Sequence, residues 1–287
     1  MRAPGVQSWK PHPNGPGHSV VGEVWVYEGF YSPELGNRRD ILVYLPPSYR
    51  QSAGRYSVLY MHDGQNLFDQ ATSYVGEWGV DESMEALARE SLEAIVVGIP
   101  NMGLERLDEY SPFRDPRYGG GRGKQYLRFL VETLKPFIDG EFRTLPTREH
   151  TAIAGSSMGG FISLCAYHLY PQVFGRAGVM SPSFWFAEGA IYALIEQAPR
   201  APGRLYMDVG HLEQTLSGRE AHRYLEDVRR MHRLLLRKGW RPGVDYLYLE
   251  DEHGAHHEAH WARRFPGMVR FLLGQGWLSP GPKADTL

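Results

Sequence analysis

The 287-residue sequence predicts an α/β fold: a mostly parallel central sheet with helices on both faces and antiparallel strands at its N-terminal end. Three observations carry that expectation. Short apolar runs alternate with segments of helical period, the spacing of βα units. The first two strands differ, because they alternate apolar with polar residues and are separated by the turn Gly36-Asn37-Arg38-Arg39. The third observation is Thr151-Ala152-Ile153-Ala154-Gly155-Ser156-Ser157-Met158-Gly159-Gly160, an apolar run that ends in Gly-x-Ser-x-Gly and passes straight into a helix.

In chain order, Met1 to His18 is rich in Pro and Gly and lacks the apolar core of a signal peptide. Val20–Tyr31 and Asn37–Leu45 read as the antiparallel strands, the second stopped by Pro46-Pro47 because proline cannot donate to a ladder. Tyr56–Met61 and Ala94–Ile99 are continuous apolar runs, as central parallel strands should be. Between them Val80–Ala88 has helical spacing. A polar loop spans Pro100–Lys124; its Gly119–Gly123 cluster fails the P-loop spacing and reads as a surface loop. A helix follows with Tyr126, Leu130, Leu134 and Phe137 on one face.

After the Ser157 turn and its helix, strands are expected at Ala177–Ser181, Leu205–Val209 and Tyr246–Leu249, with a short helix at Ala190–Glu196. Ser217 and Glu220 form a capping box for a helix striped by Ala221, Leu225, Val228 and Leu235. Trp261, Phe265, Met268, Val269 and Leu272 stripe a last helical region that Pro266 should kink or divide. The expected organisation is an extended segment 1–19, one α/β domain over 20–275, and a tail 276–287.

Hydrophobic residues at 42% and charged residues at 22% suit a soluble globular chain, and Lys+Arg 31 against Asp+Glu 33 gives no electrostatic reason to expect nucleic acid. No run is long enough to span a membrane. The one cysteine, Cys165, excludes an internal disulfide and sits where a small buried thiol packs. A cytoplasmic protein acting on a small molecule is the expectation, with self-association left open.

The serine turn is the nucleophile elbow of an α/β-hydrolase. Serine is a weak nucleophile unless a base lies in reach and an acid holds that base. Glu213, three residues past Gly210 at a strand end, is the candidate acid, with Asp208 as the alternative. The base should come from the loop after the last strand, where His253, His256, His257 and His260 all stand. His257-Glu258-Ala259-His260 is one residue short of a zincin motif, and neither a metal nor a cofactor is expected. The backbone N–H groups of Met158 and of Gln65, in His62-Asp63-Gly64-Gln65, are the candidate oxyanion hole. Arg106, Tyr110 and Trp185 are candidate substrate contacts, the first two equally able to order their own loop, and Phe184 and Phe186 are candidate walls of an acyl pocket.

Tyr44-Leu45-Pro46-Pro47-Ser48-Tyr49, Leu59 to Phe68, Gly98-Ile99-Pro100 with Arg106 and Glu109-Tyr110, the elbow, and His256-x-Glu258-x-x-Trp261 together resemble the putative esterase family. That family groups enterobactin-type siderophore esterases, feruloyl and acetylxylan esterases, esterase D and the antigen 85 acyltransferases. The resemblance runs from about Val20 to Leu273. It implies an α/β-hydrolase fold and a serine carboxylic-ester hydrolase working through a covalent acyl-enzyme. It also selects His256, five residues before a tryptophan, as the base, and places Glu213 where several members carry Asp. An acyltransferase with the same triad is the alternative, and a binding protein on an inactive hydrolase fold is a more distant one.

Overall fold

The computed structural model describes residues 9–213 and 221–274. β1 (Trp9–Pro11) pairs antiparallel with β2 (Glu23–Ser32), which pairs antiparallel with β3 (Asn37–Leu45). β4 (Ser57–His62) precedes α1 (Val80–Ala88) and β5 (Ala94–Ile99). The loop after β5 holds α2 (Arg106–Glu109) and a small hairpin, β6 (Arg114–Asp115) with β7 (Gly119–Gly120). There the glycine cluster makes a tight turn, Gly120 N–H donating to Asp108 Oδ1.

α3 (Gly123–Arg128) runs through a wide π-type turn at Phe129–Leu134 into α4 (Lys135–Glu141). Pro136, in the first turn of α4, has no N–H and presses on the carbonyl four residues back, which the wide turn accommodates. Then come β8 (Thr151–Ser157), α5 (Met158–Leu169), β9 (Arg176–Pro182), α6 (Ala190–Gln197) and β10 (Arg204–Leu212). α7 (Ala221–Arg237), β11 (Tyr246–Ala255) and α8 (Glu258–Leu273) complete the described chain.

The nine-stranded sheet has the order β1-β2-β3-β5-β4-β8-β9-β10-β11. Its first three pairings are antiparallel and the rest parallel. Side chains alternate between two cores, as a strand period of two requires. Ile41, Val43, Val58, Tyr60, Ile95 and Val97 pack under α3 to α7, with Phe129, Phe161 and Val228. Leu42, Tyr44, Leu59, Met61 and Val96 face α1 and α8, with Met84, Trp261, Phe265 and Met268. Each fully buried aliphatic of this kind contributes about 1.5–3 kcal/mol, so helices on both faces hold the strand ends, and the loops they carry, in place.

Two expectations change. α8 is not divided by Pro266. The lost N–H forfeits one hydrogen bond, while Phe265, Met268 and Val269, all fully buried, anchor the helix on either side of it. β1 was not foreseen, because Trp9-Lys10-Pro11 has no alternating pattern of its own. Trp9 is nonetheless fixed by stacking on Phe137 and edge contacts with Tyr27 and Phe142. The Ser217 and Glu220 capping box lies outside the described residues, as does the tail from 276. No helix among the described residues is long and apolar enough to cross a membrane.

Candidate active site

Ser157 closes β8 with φ 58 and ψ −121, between strand and helix. A side chain is rarely stable there, and the turn persists because glycines let the two elements touch. A Cβ on Gly155 would sit 2.9 Å from the Gly159 carbonyl carbon. The same strain recurs on neighbouring strands: Asp63, just past β4, has φ 56, and Ser181, near the end of β9, has φ 38. Three adjacent strands thus end in unfavourable backbone at one place, a pattern that marks functional sites.

His256 lies between β11 and α8. Its Nε2 is 2.9 Å from Ser157 Oγ and its Nδ1 is 2.6 Å from Glu213 Oε2. The ring is held edge-on by Trp261, centroids 5.0 Å apart, and by Tyr224 at 5.3 Å. Trp261 is in the first turn of α8, which accounts for its five-residue separation from the histidine. His257 instead caps α8, its Nδ1 accepting from Ala259 N–H at 3.2 Å.

Glu213 is fully buried. Its Oε1 accepts from Gly210 N–H at 2.9 Å and from Ser181 Oγ, which leaves Oε2 for the imidazole. Ser181 Oγ in turn accepts from Arg264 at 2.8 Å. The alternative acid, Asp208, points elsewhere: it accepts from Tyr206 Oη and Ser181 N–H and pairs with Arg264. Burial pushes its pKa up to about 6, with Arg264 opposing. The acid and base loops are brought together where β10 meets β11, since a Cβ on Gly210 would fall 2.2 Å from Gly254 O.

Beside the elbow, Gly64–Asn66 forms one turn of 3₁₀ helix after β4. β4 and β8 are parallel neighbours, Met61 opposite Ala154, so this turn and the elbow share an end of the sheet. Met158 begins α5, where an N–H has no acceptor within the helix. Gln65 Oε1 accepts from Asn101 N–H and its carbonyl from Thr72 Oγ1. Gln65 also borders a groove of about 630 Å³ lined by Lys10, His12, Arg38, Asn101 and Met102.

Arg106 grips Asp63 with two nitrogens, Nε to Oδ1 at 2.7 Å and Nη2 to Oδ2 at 2.8 Å. Burial alone would raise the Asp63 pKa, but Arg106 and Asn101 hold it below its ordinary value. Tyr110 corrects its assignment as a substrate contact. It is 0% exposed and its Oη accepts from Asp63 N–H at 3.1 Å, so it braces the strained turn from beneath. Phe184 and Phe186 are likewise core. Trp185 is half-buried and lines a pocket of about 290 Å³ with Tyr118 and Tyr192.

Sequence reasoning did not find Ser183. Its Oγ lies 3.1 Å from Ser157 Oγ and 3.2 Å from Tyr224 Oη. The one available signal was its place just past β9, since the carboxyl ends of strands are where such sheets carry sites.

A serine on a strained strand-to-helix turn, set into a mostly parallel sheet and reached by a histidine from the last strand's loop, defines an α/β-hydrolase. The chain belongs to the putative esterase family, whose profile matches residues 32–272, and is an esterase. It is 29% identical over 250 residues to the Bacillus subtilis protein YbbA, covering 84% of this chain and 95% of that one. Among solved structures it superposes on an IroE-like serine hydrolase from Shewanella oneidensis with a TM-score of 0.70 at 18% identity, covering 88% of this chain and 80% of the other. The enterobactin esterase FES from Shigella flexneri gives a TM-score of 0.69 at 17% identity, covering 90% and 62%.

Proposed function

We propose that the chain hydrolyses carboxylic esters through a Ser157–His256–Glu213 triad and a covalent acyl-enzyme. The reading rests on one observation: the unbroken line from Glu213 Oε2 to His256 Nδ1 at 2.6 Å and from His256 Nε2 to Ser157 Oγ at 2.9 Å.

With its proton on Nδ1 donated to Glu213, the imidazole presents a lone pair at Nε2 to the serine hydroxyl. As Ser157 Oγ attacks the ester carbonyl, its proton passes to Nε2, and buried Glu213 stabilises the imidazolium. The carbonyl oxygen becomes an oxyanion and accepts from the N–H groups of Met158 and Gln65. The imidazolium returns the proton to the leaving alcohol. Water then attacks the acyl-enzyme, with the same histidine taking its proton.

Arg106 acts by fixing Asp63 and hence the Gln65 turn. Trp185 is the remaining candidate for contact with substrate. A small-molecule ester suits the site, and the fold shared with the enterobactin esterase makes aryl and siderophore-type esters the first to try.

The test is a p-nitrophenyl ester assay with a fluorophosphonate label. Ser157→Ala should lose about a millionfold in kcat, as removal of a triad serine does elsewhere, while keeping its fold, and the label should attach to Ser157 alone. Retained turnover or a label elsewhere would overturn the reading.

A further inference from the structure

Away from Ser157, two imidazoles from the N-terminal segment converge on one carboxylate oxygen of the loop after β4. Asp69 is fully buried past the Gln65 turn. Its Oδ2 lies 2.6 Å from His18 Nδ1 and 3.7 Å from His12 Nδ1. One ligand atom from each of the three lies within 4.8 Å of the others. The other oxygen, Oδ1, accepts from Ser19 N–H at 3.2 Å and Ala71 N–H at 3.0 Å, so the carboxylate is held with Oδ2 toward the imidazoles.

The charge around this cluster is one-sided. Ser19 Oγ reaches both Asp69 Oδ1 and Glu77 Oε2, and Glu77 converges with Asp81 and Glu82 in a second group. Glu77 Oε1 and Asp81 Oδ1 are buried with no hydrogen-bond partner. Among the described residues, the ion pairs to Asp69 come from histidine alone, and no Lys or Arg pairs with Glu77 or Asp81. The segment that carries both histidines has little apolar reason to be ordered, Val20 alone of residues 12–22 packing against the core. From Pro13 to Gly17 it is exposed, and no strand or helix spans 12–22. Fixing such backbone costs about 1–2 kcal/mol per residue, and here polar contacts must offset it.

We propose that His12, His18 and Asp69 bind a divalent transition-metal cation of the zinc class, which clips the N-terminal segment onto the loop after β4. Two imidazoles and one carboxylate form a borderline donor set that suits zinc, cobalt or nickel, whereas calcium and magnesium require more oxygens. Zinc bonds of about 2.0–2.2 Å put neighbouring ligand atoms about 3–3.6 Å apart. The observed 2.6 and 3.7 Å bracket that range. The cation replaces the proton shared by His18 Nδ1 and Asp69 Oδ2 and the Nδ1 proton that His12 gives to the Pro13 carbonyl, and each neutral imidazole then carries its ring proton on Nε2. Water or the Pro13 carbonyl, 2.9 Å from His12 Nδ1, completes the coordination.

The site is structural and independent of ester hydrolysis. It lies on the loop whose Thr72 Oγ1 donates to Gln65 O and Asp69 O, and none of its ligands touches the serine.

The test strips the full-length protein with dipicolinate and titrates it with Zn²⁺ by calorimetry, with Co²⁺ in parallel for its visible d–d bands. One tight site per chain, a higher Tm on loading, and ester turnover unaffected by the chelator are expected. His12→Ala/His18→Ala should bind at least about 100-fold more weakly, the upper end of the cost of losing even an outer-shell partner, and should lose the Tm rise. Asp69→Asn, which keeps the side-chain shape, should do the same. His253→Ala/His260→Ala, which removes other histidines outside the site, should change neither. Tight binding that survives in the His12/His18 variant, or that is lost in the His253/His260 variant, overturns the proposal, as does wild-type protein with no tight site.

Discussion

Ser183 Oγ stands 3.1 Å from Ser157 Oγ, the oxygen that His256 Nε2 also contacts at 2.9 Å. Proton accounting gives the bond a direction. Tyr224 Oη donates to Ser181 O at 2.6 Å, and the Ser157 proton is committed to His256 in the reactive arrangement. The single Ser183 proton is therefore divided between Ser157 Oγ, at 3.1 Å, and Tyr224 Oη, at 3.2 Å, and when it points at Ser157 it orients the lone pair that attacks. Ser183→Ala should lower kcat about three- to tenfold, the worth of one neutral hydrogen bond, with KM little changed. Ser183→Thr should restore most of the loss. Equal kcat in the alanine variant would remove Ser183 from the reaction.

The two candidate acids separate by substitution. Glu213→Gln keeps the shape but cannot stabilise imidazolium, and kcat should fall about 10³–10⁴-fold. Asp208→Asn leaves the Glu213–His256 contact in place while taking from Arg264 one of its two carboxylate partners, Asp251 being the other. It should lower Tm yet cost less than about tenfold in kcat, since only an orienting neighbour is disturbed. The reverse ranking in steady-state kinetics would make Asp208 the acid.

Gly210→Ala tests how closely acid and base loops must approach. The new methyl meets the Gly254 backbone, which cannot rotate aside. The ends of β10 and β11 must part, and a displacement near 1 Å can cost about 100-fold in rate. We expect kcat to drop by at least about tenfold in whatever fraction folds, read by active-site titration.

His62 gives the molecule an acid limit. Burial lowers its pKa to about 3, with Asp63 opposing and Arg106 and Arg39 adding to the shift. The folded ring stays neutral while the unfolded chain binds a proton near pH 6.5. Its stabilising contribution is complete above that pH and is lost as pH falls toward about 3, by at most about 1.4 kcal/mol per pH unit. His62→Gln should be less stable at pH 7.5 but show a shallower decline in urea-unfolding free energy between pH 6.5 and 4. An identical slope in the variant would remove His62 as the source.

Much of this was legible in the chain itself. Val80–Ala88 and Ala94–Ile99 match the observed elements end to end, because period and flanking proline or glycine are local signals. Ser157 and Glu213 stand beside strand ends that the pattern marks, whereas His256 is singled out among its neighbours only by the resemblance; the three lie within hydrogen-bond distance. What stayed hidden depends on distance in sequence. Ser183, Tyr224 and Arg264 acquire their roles only when β9, α7 and α8 pack together. Tyr110 stayed open between substrate contact and loop ordering because its motif gives no hint that the ring lies beneath Asp63. β1 owes its existence to partners, since Trp9 finds its aromatic neighbours only after folding.

His256 follows Ser157 by 99 residues, and the helix that steadies its ring is the last one described. During synthesis the proposed nucleophile therefore leaves the ribosome ahead of its proposed base. With His256 as the proposed base, a chain broken off ahead of β11 would carry an intact elbow and no acylating power.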